Sequence, residues 1–132
     1  MITLLSPTRT MNISPVSGTY PPATTPQFLS EAERIISGVK KLSAKELEGQ
    51  MNLSQKIAEN DFHHFQQFDL PTTIQKQAVL AYSGTIYQKL DASTFKEKDF
   101  LYAQQHLRII STLYGILRPL DAIKAYRLMF SL

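Results

Sequence analysis

Gln104-Gln105-His106-Leu107-Arg108-Ile109-Ile110-Ser111-Thr112-Leu113-Tyr114-Gly115-Ile116-Leu117-Arg118-Pro119-Leu120-Asp121 changes character several times along its length. As far as Leu107 it continues a helical pattern that puts Phe100, Ala103 and Leu107 on one face. Arg108 to Tyr114 then takes on the β-branched and aromatic bias of a strand. Gly115 breaks that strand, and after Pro119 the segment Leu120 to Ala125 reads as a short helical turn.

Moving outward, the same alternation predicts a mixed α/β fold that is rich in helices and has a few short strands. Ile2-Thr3-Leu4-Leu5 is a β-prone run, and Pro7, which cannot donate to a sheet ladder, should end it. Residues 8–26 form a long irregular loop: five of the seven prolines lie within the first 26 residues, and no periodicity appears. Thr25 can cap a first helix with Pro26 at its first position, and Phe28, Leu29, Ala32, Ile35, Ile36, Val39 and Leu42 make its apolar stripe. Ser43-Ala44-Lys45-Glu46 is a capping-box pattern that opens a second helix around Leu47 and Met51. Ser54 can cap a third, carrying Ile57, Ala58, Phe62 and Phe65, which Asp69-Leu70-Pro71 interrupts. A fourth helix is expected from about Thr73, with Ile74, Ala78 and Ala81 on one side and Ser83-Gly84 at its end. Thr94-Phe95-Lys96-Glu97 repeats the capping-box pattern before the helix that leads into Leu107.

The chain of 132 residues suits one domain, 1–132, with an ordinary apolar fraction. It lacks any apolar run of about 18 residues, so no membrane span is expected. The absence of cysteine removes disulfides and thiolate chemistry and fits a cytoplasmic protein. The net charge is +3, and its placement is uneven. Arg108, Arg118, Lys124 and Arg127 face a single acid, Asp121, whereas the chain before Arg108 balances ten basic against ten acidic residues. A basic surface at that end suits polyanions such as nucleic acid, beside the plainer reading of four solvated cations.

No nucleotide motif or HExxH pattern is present. His63 and His64 are adjacent and point about 100° apart on a helix, and His106 is remote from both, so no metal site and no cofactor are expected. Asp121 follows Arg118-Pro119-Leu120 and can pair locally with Arg118 or take part in a site, the pairing being the favoured reading. Ser83-Gly84-Thr85 can present backbone amides at a helix start. Leu113-Tyr114-Gly115-Ile116-Leu117 partly matches the hairpin of a helix-hairpin-helix module, in which glycine lets backbone amides approach a phosphate; Leu117 stands where a second glycine is usual.

Four segments, in order, resemble the YaaA family of peroxide-stress proteins. These are Leu4-Leu5-Ser6-Pro7-Thr8-Arg9-Thr10-Met11, Ala81-Tyr82-Ser83-Gly84-Thr85-Ile86-Tyr87-Gln88-Lys89-Leu90, the run Gln104 to Asp121, and Tyr126-Arg127-Leu128. Arg9 replaces a usual lysine, Thr85 an aspartate and Lys89 a glycine. The resemblance implies a cytosolic protein of the hydrogen peroxide response that binds DNA and limits free intracellular iron. It also implies that this chain is the N-terminal half of a single mixed α/β unit. On that reading the apolar end, 128–132, is a fragment edge or a shortened reading frame, and an incomplete sheet makes the chain marginally stable or partner-dependent. Duplex DNA would be held through its phosphates by Arg9, Arg108, Arg118, Lys124 and Arg127, with Gly115 allowing close approach. The alternative is an enzyme acting on nucleic acid or a nucleotide-like anion, with Ser6, Arg9, Arg118 and Asp121 meeting in one pocket. The oligomeric state is left open.

Overall fold

The computed structural model describes residues 1–6, 8, 10–15 and 19–127. Arg9, Pro7, part of the irregular loop and the apolar end therefore lie outside the described residues.

The fold is mixed α/β, as expected. Strand β1 (Thr3–Leu5) pairs in parallel with β3 (Leu107–Ser111), which pairs antiparallel with β4 (Gly115–Leu117). The order β1-β3-β4 places the long strand at the centre. Among the described residues, one face of the sheet is covered. Ile109 and Leu117 are fully buried, whereas Leu4 and Ile116, on the opposite face, are exposed. Gly115 stands at φ +76°, in the left-handed region, and lets β3 reverse into β4. The strand therefore ends at Ser111 rather than at Tyr114.

Helix α1 (Leu29–Val39) buries Ala32 and Ile36. It begins three residues later than Pro26 suggests, because Thr24 and Thr25 are engaged elsewhere: the Thr24 backbone exchanges hydrogen bonds with Leu120 and Ala122. Helix α2 (Ala44–Met51) has the expected capping box, with Glu46 N–H donating to Ser43 Oγ and Ser43 N–H to the Glu46 carboxylate. Ser54 caps α3 (Gln55–Gln67) through Ile57 N–H. These two helices pack together and bury Leu47, Met51, Ala58 and Phe65.

Three local expectations are corrected. The helix expected from Thr73 is strand β2 (Lys76–Gln77) followed by a single turn, α4 (Ala78–Ala81). The helical turn expected over Leu120 to Ala125 is strand β5 (Ala122–Ile123), antiparallel to β2. The cause is shared: Ala78 N–H donates to Asp121 O at 2.9 Å and Val79 N–H to Pro119 O at 3.0 Å, so long-range pairing overrides helical spacing. Finally, Thr94 Oγ1 donates to Asp91 O, and α6 (Glu97–His106) begins instead at Lys96, whose N–H donates to the Asp99 carboxylate. A short helix, α5 (Thr85–Leu90), follows Gly84. A Cβ on Gly84 would stand 2.7 Å from Thr8 Oγ1, so a side chain there would have to displace the Thr8 hydroxyl. One continuous core joins all the helices to the inner sheet face.

Candidate functional site

The turn Arg118-Pro119-Leu120-Asp121 closes on itself. The Asp121 carboxylate accepts Arg118 N–H at 2.8 Å and Arg118 Nε–H at 3.2 Å, and Arg118 Nη2 lies 3.0 Å away. Thr24 Oγ1 donates a further bond of 2.6 Å. Asp121 is wholly buried, with most of its bonds on Oδ1 and the Arg118 amide on Oδ2. Arg118 also donates to Thr25 O, and Gln104 joins the assembly by donating to Thr24 Oγ1 and accepting Leu120 N–H. Asp121 thus fastens the loop around Thr24 to the turn.

Ser6 has different partners. Its carbonyl accepts the Tyr87 hydroxyl at 3.5 Å, and nearby Thr8 Oγ1 reaches Ser83 O. The hydrogen-bond partners of Ser6 and of the Arg118–Asp121 turn do not overlap.

Of the other predicted phosphate contacts, Arg108, Lys124, Arg127 and Gly115 are engaged within the chain. Arg108 Nη1 donates to Gln104 O at 2.7 Å and to Leu107 O at 2.8 Å, closing the C-terminal end of α6. Lys124 Nζ donates to Phe68 O at 2.6 Å, just past the end of α3, and stands over the Phe68 ring. Arg127 Nε lies 3.4 Å from Asp61 Oδ2. Gly115 approaches Phe28, whose ring would be 3.4 Å from an added Cβ. Arg118 and Arg127 keep 38% and 31% of their side chains exposed.

Two clusters went unread in the sequence. Ser111 Oγ accepts Leu113 N–H and Tyr114 N–H, so its own hydroxyl donates to Tyr126 Oη at 2.6 Å. Tyr126 in turn meets Tyr82 Oη at 2.7 Å. The Tyr82, Tyr87, Tyr114 and Tyr126 rings pack around this hydroxyl chain. Burial raises the Tyr82 and Tyr114 hydroxyls above the ordinary tyrosine range and pushes Tyr87 up to about 12. Nearby, buried Lys76 spends its ammonium on Asn12 O at 2.9 Å, and burial lowers its pKa.

The second cluster is a cleft of about 530 Å³ bounded by Met11, Ile13, α3, Thr72 and the segment around Tyr126. Asp61 and Arg127 line it. Burial raises the Asp61 carboxyl to about 6, against the pull of the Arg127 charge. Asp61 was legible in one respect: it falls between Ala58 and Phe65 on the buried stripe of α3, where an acid is unusual. Among the described residues, no group of three His, Asp or Glu side chains is placed to hold a metal ion. None of their helices is long and apolar enough to cross a membrane.

Comparison with known proteins agrees with the four-segment resemblance. A UPF0246 protein of Bacteroides thetaiotaomicron is 43% identical over 129 residues, covering 97% of this chain and 49% of that protein. A UPF0246 protein of Parabacteroides distasonis is 39% identical over 131 residues, covering 98% of this chain and 51% of that protein. The chain thus spans about half the length of these curated relatives. Residues 1–132 match the family described as peroxide stress protein YaaA, and the chain belongs to that family.

Proposed function

We propose that the chain serves in a cytoplasmic peroxide-stress protein that binds duplex DNA along its phosphate backbone and limits free iron. The observation that carries this reading is the placement of charge. The whole positive excess lies between Arg108 and Arg127, and within it Arg118 and Arg127 keep about a third of their guanidinium side chains open to solvent. Arg108 and Lys124 act chiefly as helix-end clamps, so the interface rests on two arginines rather than on every basic residue of the segment.

Salt dependence separates these cases. Each phosphate contact contributes about −0.9 to the slope of log K against log salt. Contacts from Arg118 and Arg127 alone give a slope near −1.8, or about a 12-fold loss of affinity between 50 and 200 mM salt. Contacts from Arg9, Arg108, Arg118, Lys124 and Arg127 together give about −4.5, or roughly a 500-fold loss. Fluorescence anisotropy with a labelled duplex reads the slope, and Arg127→Gln should reduce it by about 0.9. Undetectable binding at 50 mM salt, in both this chain and a full-length relative, would remove the reading.

The reading with Ser6, Arg9, Arg118 and Asp121 as one reactive pocket has less support, because Asp121 is buried and bonded to Thr24 and Arg118, and among the described residues Ser6 shares no hydrogen-bond partner with it.

A further inference from the structure

The cleft beside α3 holds an acid whose bonding is incomplete. Asp61 is only 4% exposed, yet neither its Oδ2 nor the buried Nε of Arg127 makes a hydrogen bond among the described residues. The two atoms stand 3.4 Å apart, an ion pair without the alignment of a hydrogen bond. A carboxylate offers about four lone-pair sites, and leaving them empty away from water is costly. Groups supplied from outside the chain can fill them.

The surroundings suit a small molecule. The cleft volume of about 530 Å³ lies within the range of ligand pockets. Asn60, Asp61, His64 and Gln67 line one wall, at the spacing of a single face of α3. Met11, Ile13 and Ile74 make an apolar part, and Ile74 is 44% exposed. Burial and the neighbouring His63 lower the His64 pKa, so that ring is neutral at pH 7. The charges lining the cleft are therefore one of each sign, side by side.

That pairing selects the ligand. A phosphate drawn to Arg127 would also face Asp61, and a simple amine drawn to Asp61 would also face Arg127. A molecule with both charges on neighbouring atoms meets each with its opposite. We infer that the cleft takes a free amino acid with an aliphatic side chain, its carboxylate on Arg127, its ammonium on Asp61, and its side chain against Met11, Ile13 and Ile74. The inference does not rest on DNA binding. Asp61→Asn separates the two, since it removes the ammonium partner and spares the positive charge that a phosphate would use.

Titration of this chain, followed by amide NMR, tests it with free leucine as the probe. Leucine should bind with a Kd of about 1 mM or tighter and shift the amides of residues 60–67, Met11 and Ile13. Isocaproate, which lacks the ammonium, and isoamylamine, which lacks the carboxylate, should each bind about tenfold more weakly or worse. Asp61→Asn and Arg127→Gln should each weaken leucine by a similar factor, with Asp61→Asn leaving affinity for duplex DNA undiminished. If either variant fails to fold, the two single-charge analogues on the wild-type chain carry the test. No binding of leucine at about 10 mM, shifts centred outside the cleft, or a single-charge analogue or inorganic phosphate binding as tightly as leucine would overturn the inference. So would folded Asp61→Asn and Arg127→Gln variants that bind leucine as the wild type does.

Discussion

Asp121→Ala should be among the most damaging single substitutions in this chain. The wild-type carboxylate is fully buried and takes hydrogen bonds from Thr24 Oγ1, Arg118 N and Arg118 Nε. Removing it strands the Thr24 hydroxyl and the Arg118 amide, at about 1–3 kcal/mol for each group left unsatisfied. The guanidinium adds less, because Arg118 is 38% exposed and water can rehydrate it; exposed pairs are worth about 0–1 kcal/mol. The expected loss is therefore about 3–4 kcal/mol. Asp121→Asn keeps the shape and one acceptor, so it should lose about 1–2 kcal/mol. Urea unfolding followed by circular dichroism reads both. With a slope near 2 kcal/mol per molar, the alanine variant's midpoint falls by about 1.5–2 M. If that variant is already unfolded in buffer, the asparagine variant carries the measurement. Arg118→Ala should cost less than Asp121→Ala, because the buried partner is the one that cannot be replaced by water. An Asp121→Ala loss below about 1 kcal/mol would refute the reasoning, as would a Thr24→Val/Asp121→Ala double-mutant cycle with no coupling.

Three further outcomes follow from the geometry. Asp61 has a folded pKa of about 6 against a reference of 3.8, so the native state holds its proton more tightly than the unfolded chain. Asp61 thus favours the fold below pH 4, and that contribution is lost as pH rises from about 4 to 6; Asp61→Asn should flatten this part of a pH–stability profile, and Arg127→Ala should raise the Asp61 titration measured by carboxyl carbon NMR. Gly115→Ala forces a side chain into the left-handed region beside the Phe28 ring, with an expected cost of about 1–2 kcal/mol in thermal unfolding. Tyr126→Phe leaves the Ser111 and Tyr82 hydroxyls without their shared partner, and urea unfolding should show a loss of about 1–3 kcal/mol.

The parts of the fold legible in the sequence are those specified by near neighbours. The Ser43 box, the Ser54 cap, the α1 stripe and the pairing of Arg118 with Asp121 all involve residues a turn or so apart. The misread parts depend on distant pairing. Lys76 and Gln77 become a strand only because Ile123 and Ala122 lie opposite, and the helical spacing of Ile74, Ala78 and Ala81 gives no hint of that. At the candidate site the same division holds. The charge excess and the Gly115 turn are visible in the sequence, but the carbonyls that occupy Arg108 and Lys124 are not, since a cation's partner depends on which helix end the fold brings near. The Ser111–Tyr126–Tyr82 chain joins three separate segments and leaves no local pattern.

The pairing of Thr3–Leu5 with Leu107–Ser111 has a consequence for how the chain is made. The first strand leaves the ribosome with no partner, and about a hundred residues must follow before β3 exists. At about 5–20 residues per second, that is roughly 5–20 s of waiting. A delay of the same kind, shorter for Met11, applies to Met11, which bridges Tyr82, and to Thr24, which bridges Asp121. Helices α1 to α3 can form and pack within this interval, but the sheet cannot. Birth order therefore runs opposite to chain order: the opening residues are among the last to find their place, and an apolar β-prone tip stays available to chaperones, and to other nascent copies, for most of synthesis.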